Sequence, residues 1–184
     1  MILISESLWG RLLDGFAETV PGVERVAFLD GVREGDIAVV TTVAFPDAIL
    51  LPGTYDVSAE AMSRAGQHLR ENELSRLAQV HTHGRGGCHH SSRDDEMAYT
   101  QRENAVSIVL PYHAAARPTP TDGVIHVRTA DSWVALEKSE AKRAVRLVPS
   151  YVDQRSQRCT ISPTVTQEPL TGFWRRLMRL PQRP

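Results

Sequence analysis

The 184-residue sequence predicts an α+β domain in which helices pack against a mainly antiparallel sheet. Two observations carry this prediction. Stretches with the apolar periodicity of helices are interspersed with short apolar stretches rich in β-branched residues, and turn dipeptides such as Asp30-Gly31 separate them. Apolar residues make up 41% of the chain, as in ordinary globular proteins, so the length and composition suit one packed domain.

The elements follow from these patterns in order. Helices are predicted at residues 5–19, 58–72 and 92–103. Strands are predicted at residues 23–29, 36–45, 77–83, 105–110, 123–128, 132–136 and 145–148. The first helix rests on Leu8, Leu12 and Phe16 at i, i+4 and i+8. Residues 47–56 and 114–121 contain prolines and are predicted to be loops.

The segment from Gln79 to Asp94 concentrates residues that bind metals. His81 and His83 lie on one face of a predicted strand, because side chains alternate with a period of two. Ser91 and the acids after it predict a helix start, whose first-turn side chains lean back toward the N-terminus. Asp94 is therefore expected to point at the two histidines. Two nitrogens and one carboxylate oxygen leave one position of a tetrahedral zinc open, which is typical of catalytic sites.

The metal interpretation depends on the whole pattern, since a lone His-x-His pair is more often a polar strand end. Glu24 is a second candidate residue, because it shares a strand face with Val26 and Phe28 and a carboxylate there is costly without a partner. We expect it to face the metal site. The alternative is that it meets water at the frayed start of its strand. Glu34 competes for the same role, but it lies in a turn without an apolar pattern.

The spacing His81-x-His83, seven residues, Ser91, two residues, Asp94 closely resembles the motif of the JAB/MPN metalloproteases, also called JAMM proteases. The resemblance covers roughly residues 5–149 and implies a JAB/MPN-like (cytidine-deaminase-like) fold. One departure is Gly84, where the family usually has proline. Glu24 resembles the glutamate that the family carries in the strand after its first helix.

The resemblance implies a zinc isopeptidase or peptidase that cuts after the C-terminal glycine of a bacterial ubiquitin-like modifier. His81, His83 and Asp94 would hold Zn²⁺, Glu24 would act as general base and Ser91 would donate a hydrogen bond to the oxyanion. The expected partners are that modifier and activating- or conjugating-enzyme-like proteins, in some cases in antiphage defence. The alternatives are a non-catalytic MPN scaffold and a peptidase acting on a sulfur-carrier protein.

Two residues of this segment allow other interpretations. Ser91 is also a candidate helix N-cap, although Ser92 beside it could serve instead. Cys88 is a rival nucleophile, but a thiolate next to zinc would compete for the metal. The roles of His89 and His90 stay open, between pH sensing, adventitious metal binding and lining the rim.

Composition limits the remaining possibilities. No apolar run is long enough to span a membrane, and the N-terminus lacks a secretory pattern. With only two cysteines, the expected location is a reducing cytoplasm. A net charge of −1 argues against generic nucleic-acid binding. Residues 151–184 carry a net charge of +4 and are predicted to be a basic tail, in which residues 172–180 form either a capping helix or disordered tail, or a docking segment.

Overall fold

The computed structural model describes residues 1–152 and is built on an eight-stranded sheet with a separate two-stranded hairpin. The strands are β1 (Ile2–Ser5), β2 (Val26–Glu34), β3 (Ile37–Ala44), β4 (Ala48–Leu51), β5 (Thr54–Val57), β6 (Ser75–Thr82), β7 (Val106–Leu110), β8 (Val124–Arg128), β9 (Trp133–Ala135) and β10 (Val145–Val148). The helices are α1 (Glu6–Ala17), α2 (Ala59–Glu71), α3 (Ser92–Glu96) and α4 (Lys138–Ala144).

The strand order of the large sheet is β10-β1-β3-β2-β6-β7-β8-β9. Four of its seven neighbouring pairs are antiparallel: β2–β3, β2–β6, β7–β8 and β8–β9. The α+β prediction with a mainly antiparallel sheet is therefore confirmed. The strand with the two histidines, β6, lies between β2 and β7, so its backbone is bonded on both sides. This central position gives the end of β6 a rigid platform.

The main core forms where α1 packs on the sheet. The Ser5 side chain accepts a hydrogen bond from the Leu8 amide and so caps the start of α1. The apolar stripe predicted for this helix is buried, with Leu12 and Phe16 almost inaccessible to solvent. Leu29 and Ile108, from the middle strands of the sheet, belong to the same cluster. The core therefore fixes the layer that carries β6.

Four short elements, three or more residues of each outside any predicted helix or strand of that kind, were not expected: β1, β4, β5 and α4. The strand β1 has four residues and pairs in parallel with β3 and β10, which are distant in sequence. The helix α4 has seven residues, too few for a clear apolar repeat. Residues 47–56, predicted to be a loop, contain β4 and most of β5, and Pro52-Gly53 forms the two-residue turn between them. Proline followed by a glycine at φ 81° suits such a turn, so the dipeptide indicated a hairpin.

Three predicted boundaries were wrong. The strand β2 does not end at residue 29, because Asp30-Gly31 is not a turn: both residues pair within β2, which continues through a bulge to Glu34. The strand β2 begins at Val26 and not at residue 23, because Glu24 bonds to the hairpin: its amide donates to the Leu51 carbonyl at 3.0 Å. The helix α3 ends at Glu96 and not near residue 103. Beyond it, the Tyr99 amide donates to the Gln79 side chain at 3.1 Å, so a tertiary contact replaces the next helical turn.

Met1–Tyr151 form one compact unit. No helix within residues 1–152 has the length and apolar character needed to cross a membrane. The predicted basic tail, including the run at residues 172–180, lies outside the described residues except for Tyr151 and Val152.

Candidate metal centre

The first two predicted ligands come from the end of β6. His81 pairs with Val26 of β2 and with Val109 of β7, and its side chain is fully buried. Neither ring nitrogen of His81 has a hydrogen-bond partner among the described residues. His83 follows the last strand residue, and its amide donates to the Leu110 carbonyl at 2.9 Å. The sheet therefore holds both imidazoles on one side, as the alternation predicted.

The third predicted ligand, Asp94, lies in the first turn of α3. The Asp94 Oδ2 atom accepts hydrogen bonds from the Ser91 amide and from the Ser91 hydroxyl, both at 2.7 Å. Asp94 Oδ1 lies 3.5 Å from His81 Nε2, and Oδ2 lies 3.5 Å from His83 Nε2. One ligand atom from each of the three residues lies within 4.8 Å of the others, which suits a single cation. The predicted convergence of His81, His83 and Asp94 is confirmed.

The protonation states suit a metal ion. Burial lowers the pKa of His81 to about 3, so its imidazole is neutral and has a lone pair to donate. Burial alone would raise the pKa of Asp94, but hydrogen bonding with His83 and the hydrogen bonds from Ser91 lower it overall, so the carboxylate stays ionised. The neighbouring Asp94 raises the pKa of His83 against the effect of burial.

The tautomer of His83 also suits a metal ion. His83 Nδ1 lies 2.8 Å from the Gly87 carbonyl, which can only accept, so Nδ1 carries the proton and Nε2 is free to bind. Two neutral imidazoles and a carboxylate are the donor set of an open catalytic zinc site. Neither ring nitrogen of the buried His81 has a hydrogen-bond partner among the described residues, and a bound cation would provide a partner for one of them.

Glu24 lies next to this centre. Its side chain is only 6% exposed, and it lines a cavity of about 590 Å³ together with His83, Gly84, Arg85 and His113. Burial raises the pKa of Glu24, the charge of His83 lowers it and that of Asp94 raises it. The competing candidate Glu34 is exposed at the far end of β2. The structure thus brings Glu24 to the metal centre, while its function as a base stays a prediction.

Ser91 is the N-cap of α3. Its hydroxyl oxygen accepts from the Asp94 amide at 3.2 Å, and the pair forms a reciprocal capping box. Ser92 is the first helical residue and does not take the capping position. Ser91 is an exposed residue, and its hydroxyl both donates to Asp94 Oδ2 and accepts from the Asp94 amide. Its predicted contact with an oxyanion stays a prediction.

The surroundings of Cys88 and His90 favour structural roles over catalytic ones. Burial raises the pKa of Cys88, which disfavours the thiolate form. His90 binds Asp95 through Nδ1 at 2.8 Å and Ser107 through Nε2 at 2.9 Å. This order of groups is that of a catalytic triad, but Ser107 is fully buried and no substrate can reach it. His90 therefore braces the start of α3, and His89 is exposed beside it.

Two residues of the cavity, Arg85 and His113, were missed by the sequence interpretation. Arg85 lies within the glycine-rich loop that follows the histidines, and this position in the sequence could have indicated that it lies near the candidate metal site. His113 follows β7 in sequence, and nothing in its local pattern distinguishes it from a surface histidine. Its role depends on the pairing of β7 with β6.

No protein-family model and no curated protein sequence matches the chain. Among solved structures, the chain is similar to the solution structure of protein DSY2949 from Desulfitobacterium hafniense. The two share 17% sequence identity and a TM-score of 0.62, over 81% of this chain and 94% of that one. The crystal structure of AF2198, a JAB1/MPN domain protein from Archaeoglobus fulgidus, also matches, with 16% identity over 80% of this chain and 97% of that one. Its TM-score of 0.42 is too low to add to the comparison.

The chain thus has the α+β fold that the sequence predicted, and this fold is similar to that of DSY2949. Within this fold, His81, His83 and Asp94 form a group that could bind a metal ion. The arrangement is compatible with the metalloprotease motif that the sequence resembles. At such low identities a shared fold does not determine an activity.

Proposed function

We propose that the protein is a zinc-dependent peptidase of the JAMM type that hydrolyses the bond after the C-terminal glycine of a ubiquitin-like modifier. The observation that carries the proposal is the convergence of three potential ligands beside the buried carboxylate of Glu24. His81 and His83, both with Nε2 toward Asp94, would hold the cation. A zinc ion bound there would lower the pKa of a water molecule and polarise the scissile carbonyl.

The protein's own groups would handle the proton. Glu24 is suited to accept a proton from the attacking water and to return it to the departing amine, because its raised pKa lies closer to neutral pH than that of an ordinary glutamate. Ser91 would turn its hydroxyl from Asp94 to the oxyanion. These two steps need only a carboxylate and a hydroxyl next to the metal.

The modifier as substrate is argued from the shape of the cleft and from the resemblance of the motif. Gly22, Gly53, Gly84 and Gly87 line the cavity, so much of its wall is backbone without side chains. Such a wall allows close approach of an extended peptide. Activating- and conjugating-enzyme-like proteins would be the partners that attach the modifier.

The test is hydrolysis of candidate ubiquitin-like proteins that carry C-terminal extensions. Zinc-loaded protein should release the extension, and either a strong chelator or Glu24→Gln should stop it. Loss of a general base typically costs about 10²–10⁴-fold in rate. Glu34→Gln is the matched control and should retain full activity, since Glu34 is exposed on the far end of β2. Cleavage that survives both the chelator and Glu24→Gln would refute the mechanism.

Arg85 favours a second candidate substrate, a sulfur-carrier protein with a short adduct at its C-terminus. Arg85 lines the cavity and forms no ion pair within residues 1–152. A guanidinium there would suit the free carboxylate of a leaving amino acid. Arg85→Ala should then impair release of a single C-terminal residue more than cleavage of an isopeptide-linked lysine. Equal effects on both would favour the first substrate.

A further inference from the structure

A turn next to the metal centre has an unusual backbone. Tyr112, His113 and Ala114 have φ angles of 51°, 54° and 60°, so three successive residues with side chains lie in the left-handed region. Residues other than glycine rarely adopt this region, and then usually as single residues. Such a turn persists only where its surroundings enforce it, and these conformations concentrate at functional sites.

The contacts that enforce this turn come from the metal site. The His113 amide donates to the carbonyl of the predicted ligand His83 at 2.8 Å. The Tyr112 amide donates to the Arg85 carbonyl at 3.3 Å. On the other side, the buried Arg25, which follows Glu24 in sequence, donates from Nη1 to the His113 carbonyl at 3.4 Å. The turn is thus bonded both to the metal-binding loop and to the segment that carries the predicted base.

The His113 ring occupies space that Gly84 leaves free. A Cβ atom at Gly84 would lie 3.0 Å from His113 Nε2 and 3.1 Å from its Cε1, closer than side-chain contacts normally are. This explains the departure from the family motif, since a proline at position 84 would meet the imidazole. The absence of a side chain at Gly84 and the presence of a ring at His113 are therefore linked.

The His113 imidazole also has unused hydrogen-bonding capacity. The ring lines the same cavity as Glu24 and His83 and forms no hydrogen bond within the described residues. Because Nδ1 is buried, Nε2, which faces the space left by Gly84, is the nitrogen available to a bound molecule. His113 is not one of the three metal-ligand candidates, so a bound substrate is the partner that Nε2 could take.

We propose that His113 is a substrate-binding residue of this cleft, which hydrogen-bonds the main chain of a bound peptide, and that Gly84 is the position that makes room for it. The proposal rests on the proposed peptidase function and adds a specificity residue to it. It predicts that changes at positions 84 and 113 act through one shared feature, the placement of the imidazole.

The test uses the full-length, zinc-loaded protein and a short labelled peptide with a central Gly-Gly-Lys sequence. Binding is measured by fluorescence anisotropy in the Glu24→Gln background, and KM and kcat are measured with Glu24 intact. His113→Ala should weaken peptide binding about three- to tenfold, the usual effect of one lost hydrogen bond, and should raise KM more than it lowers kcat. His113→Asn should recover most of the affinity, because asparagine keeps a hydrogen-bonding group and tolerates the left-handed region.

A double-mutant cycle tests the link between the two positions. Gly84→Ala should weaken binding as His113→Ala does, because the added methyl group displaces the ring. In the His113→Ala background it should have no further effect. His68→Ala, on α2, is the control and should match the unmodified protein. Zinc content and the visible spectrum of the Co²⁺-substituted protein should stay unchanged in every variant, which separates a binding role from support of His83.

Several outcomes would overturn the inference. Additive losses at positions 84 and 113, or a loss of metal on His113→Ala, would assign His113 a structural role. If the unmodified protein binds the peptide and His113→Ala binds it equally well, only this inference fails. If the zinc-loaded protein neither binds nor cleaves the peptide, the proposed function fails and the role of His113 fails with it.

Discussion

Two buried polar clusters share the strand β6 and differ in how completely hydrogen bonds within the protein satisfy them. In the first, Arg76 binds Asp30 with two hydrogen bonds, from Nε at 2.7 Å and from Nη2 at 3.3 Å. The Arg76 guanidinium also lies 3.6 Å from the centre of the Phe28 ring. In the second, His81 has two orphaned nitrogens, and Asp94 stays 3.5 Å away.

The comparison shows that burial of charged groups alone does not identify a functional site. The charges of Arg76 and Asp30 neutralise each other, and their two hydrogen bonds leave neither group in need of a ligand. In the group of His81, His83 and Asp94, the His81 Nε2 atom has no hydrogen-bond partner, and a cation held by the three residues would supply one. Incomplete satisfaction therefore separates a candidate metal centre from a structural ion pair in the same sheet.

The largest expected effect is on the metal centre itself. Asp94→Asn keeps the shape and the capping oxygen but removes the charge that a cation needs, so the protein should lose zinc and more than about 10³-fold in turnover. The unfolding free energy of the metal-free variant should stay within about 1 kcal/mol of that of the metal-free parent. Metal analysis, kinetics and chemical denaturation measure the three quantities. Retention of stoichiometric zinc would remove Asp94 from the ligand set.

The structural ion pair should respond in the opposite way. Arg76→Ala leaves Asp30 buried without a partner and should lower the unfolding free energy by about 3–5 kcal/mol. The folded variant should still bind zinc in the same ratio. Arg64→Ala is the matched control, because its ion pair with Asp47 is exposed and should be worth less than about 1 kcal/mol. A loss of zinc in folded Arg76→Ala would show that the two clusters are coupled.

Ser91 caps a helix and is also the proposed oxyanion donor, so its substitution should affect both stability and turnover. Ser91→Ala removes the N-cap of α3, which costs about 1 kcal/mol of stability. If the hydroxyl also binds the oxyanion, kcat falls about 10²–10³-fold. Ser92→Ala, one residue further along, should change neither quantity. A loss of stability with an unchanged kcat would limit Ser91 to capping.

The last expected effect is stabilisation by the metal, whose size depends on the zinc concentration. Zinc at 100 times its dissociation constant should raise the unfolding free energy by about 2.7 kcal/mol, and Asp94→Asn should abolish this gain. The gain should decrease as the pH falls, because protons and zinc compete for the same ligand atoms. The raised pKa of His83 means that this competition begins at a higher pH than for an ordinary histidine. Thermal unfolding across pH measures it, and a gain independent of pH would argue against imidazole ligands.

Local rules, together with the resemblance of the spacing to a known metalloprotease motif, predicted the three potential ligands. The alternation of side chains places His81 and His83 on one face, and helix geometry turns Asp94 back toward the start of α3. Both rules act within a few residues and depend little on the rest of the chain. They also predicted α1, whose apolar stripe is long enough to be unambiguous.

Other features depend on contacts between distant parts of the chain. The sequence favoured Glu24 over Glu34 as the base but did not show what holds it at the site, and in the structure its amide donates a hydrogen bond to Leu51 of an unexpected hairpin. The place of His113 depends on the pairing of β7 with β6 and on the room at Gly84.

The sequence by itself therefore determined the α+β class, the loop that carries the candidate metal ligands and the elements on either side of it, because backbone periodicity and helix capping are short-range properties. Only the tertiary structure decided which carboxylate and which further imidazole share the cavity with the metal centre. Both depend on which surfaces pack together. Packing brings together residues that are far apart in the sequence, and no local sequence pattern predicts such contacts.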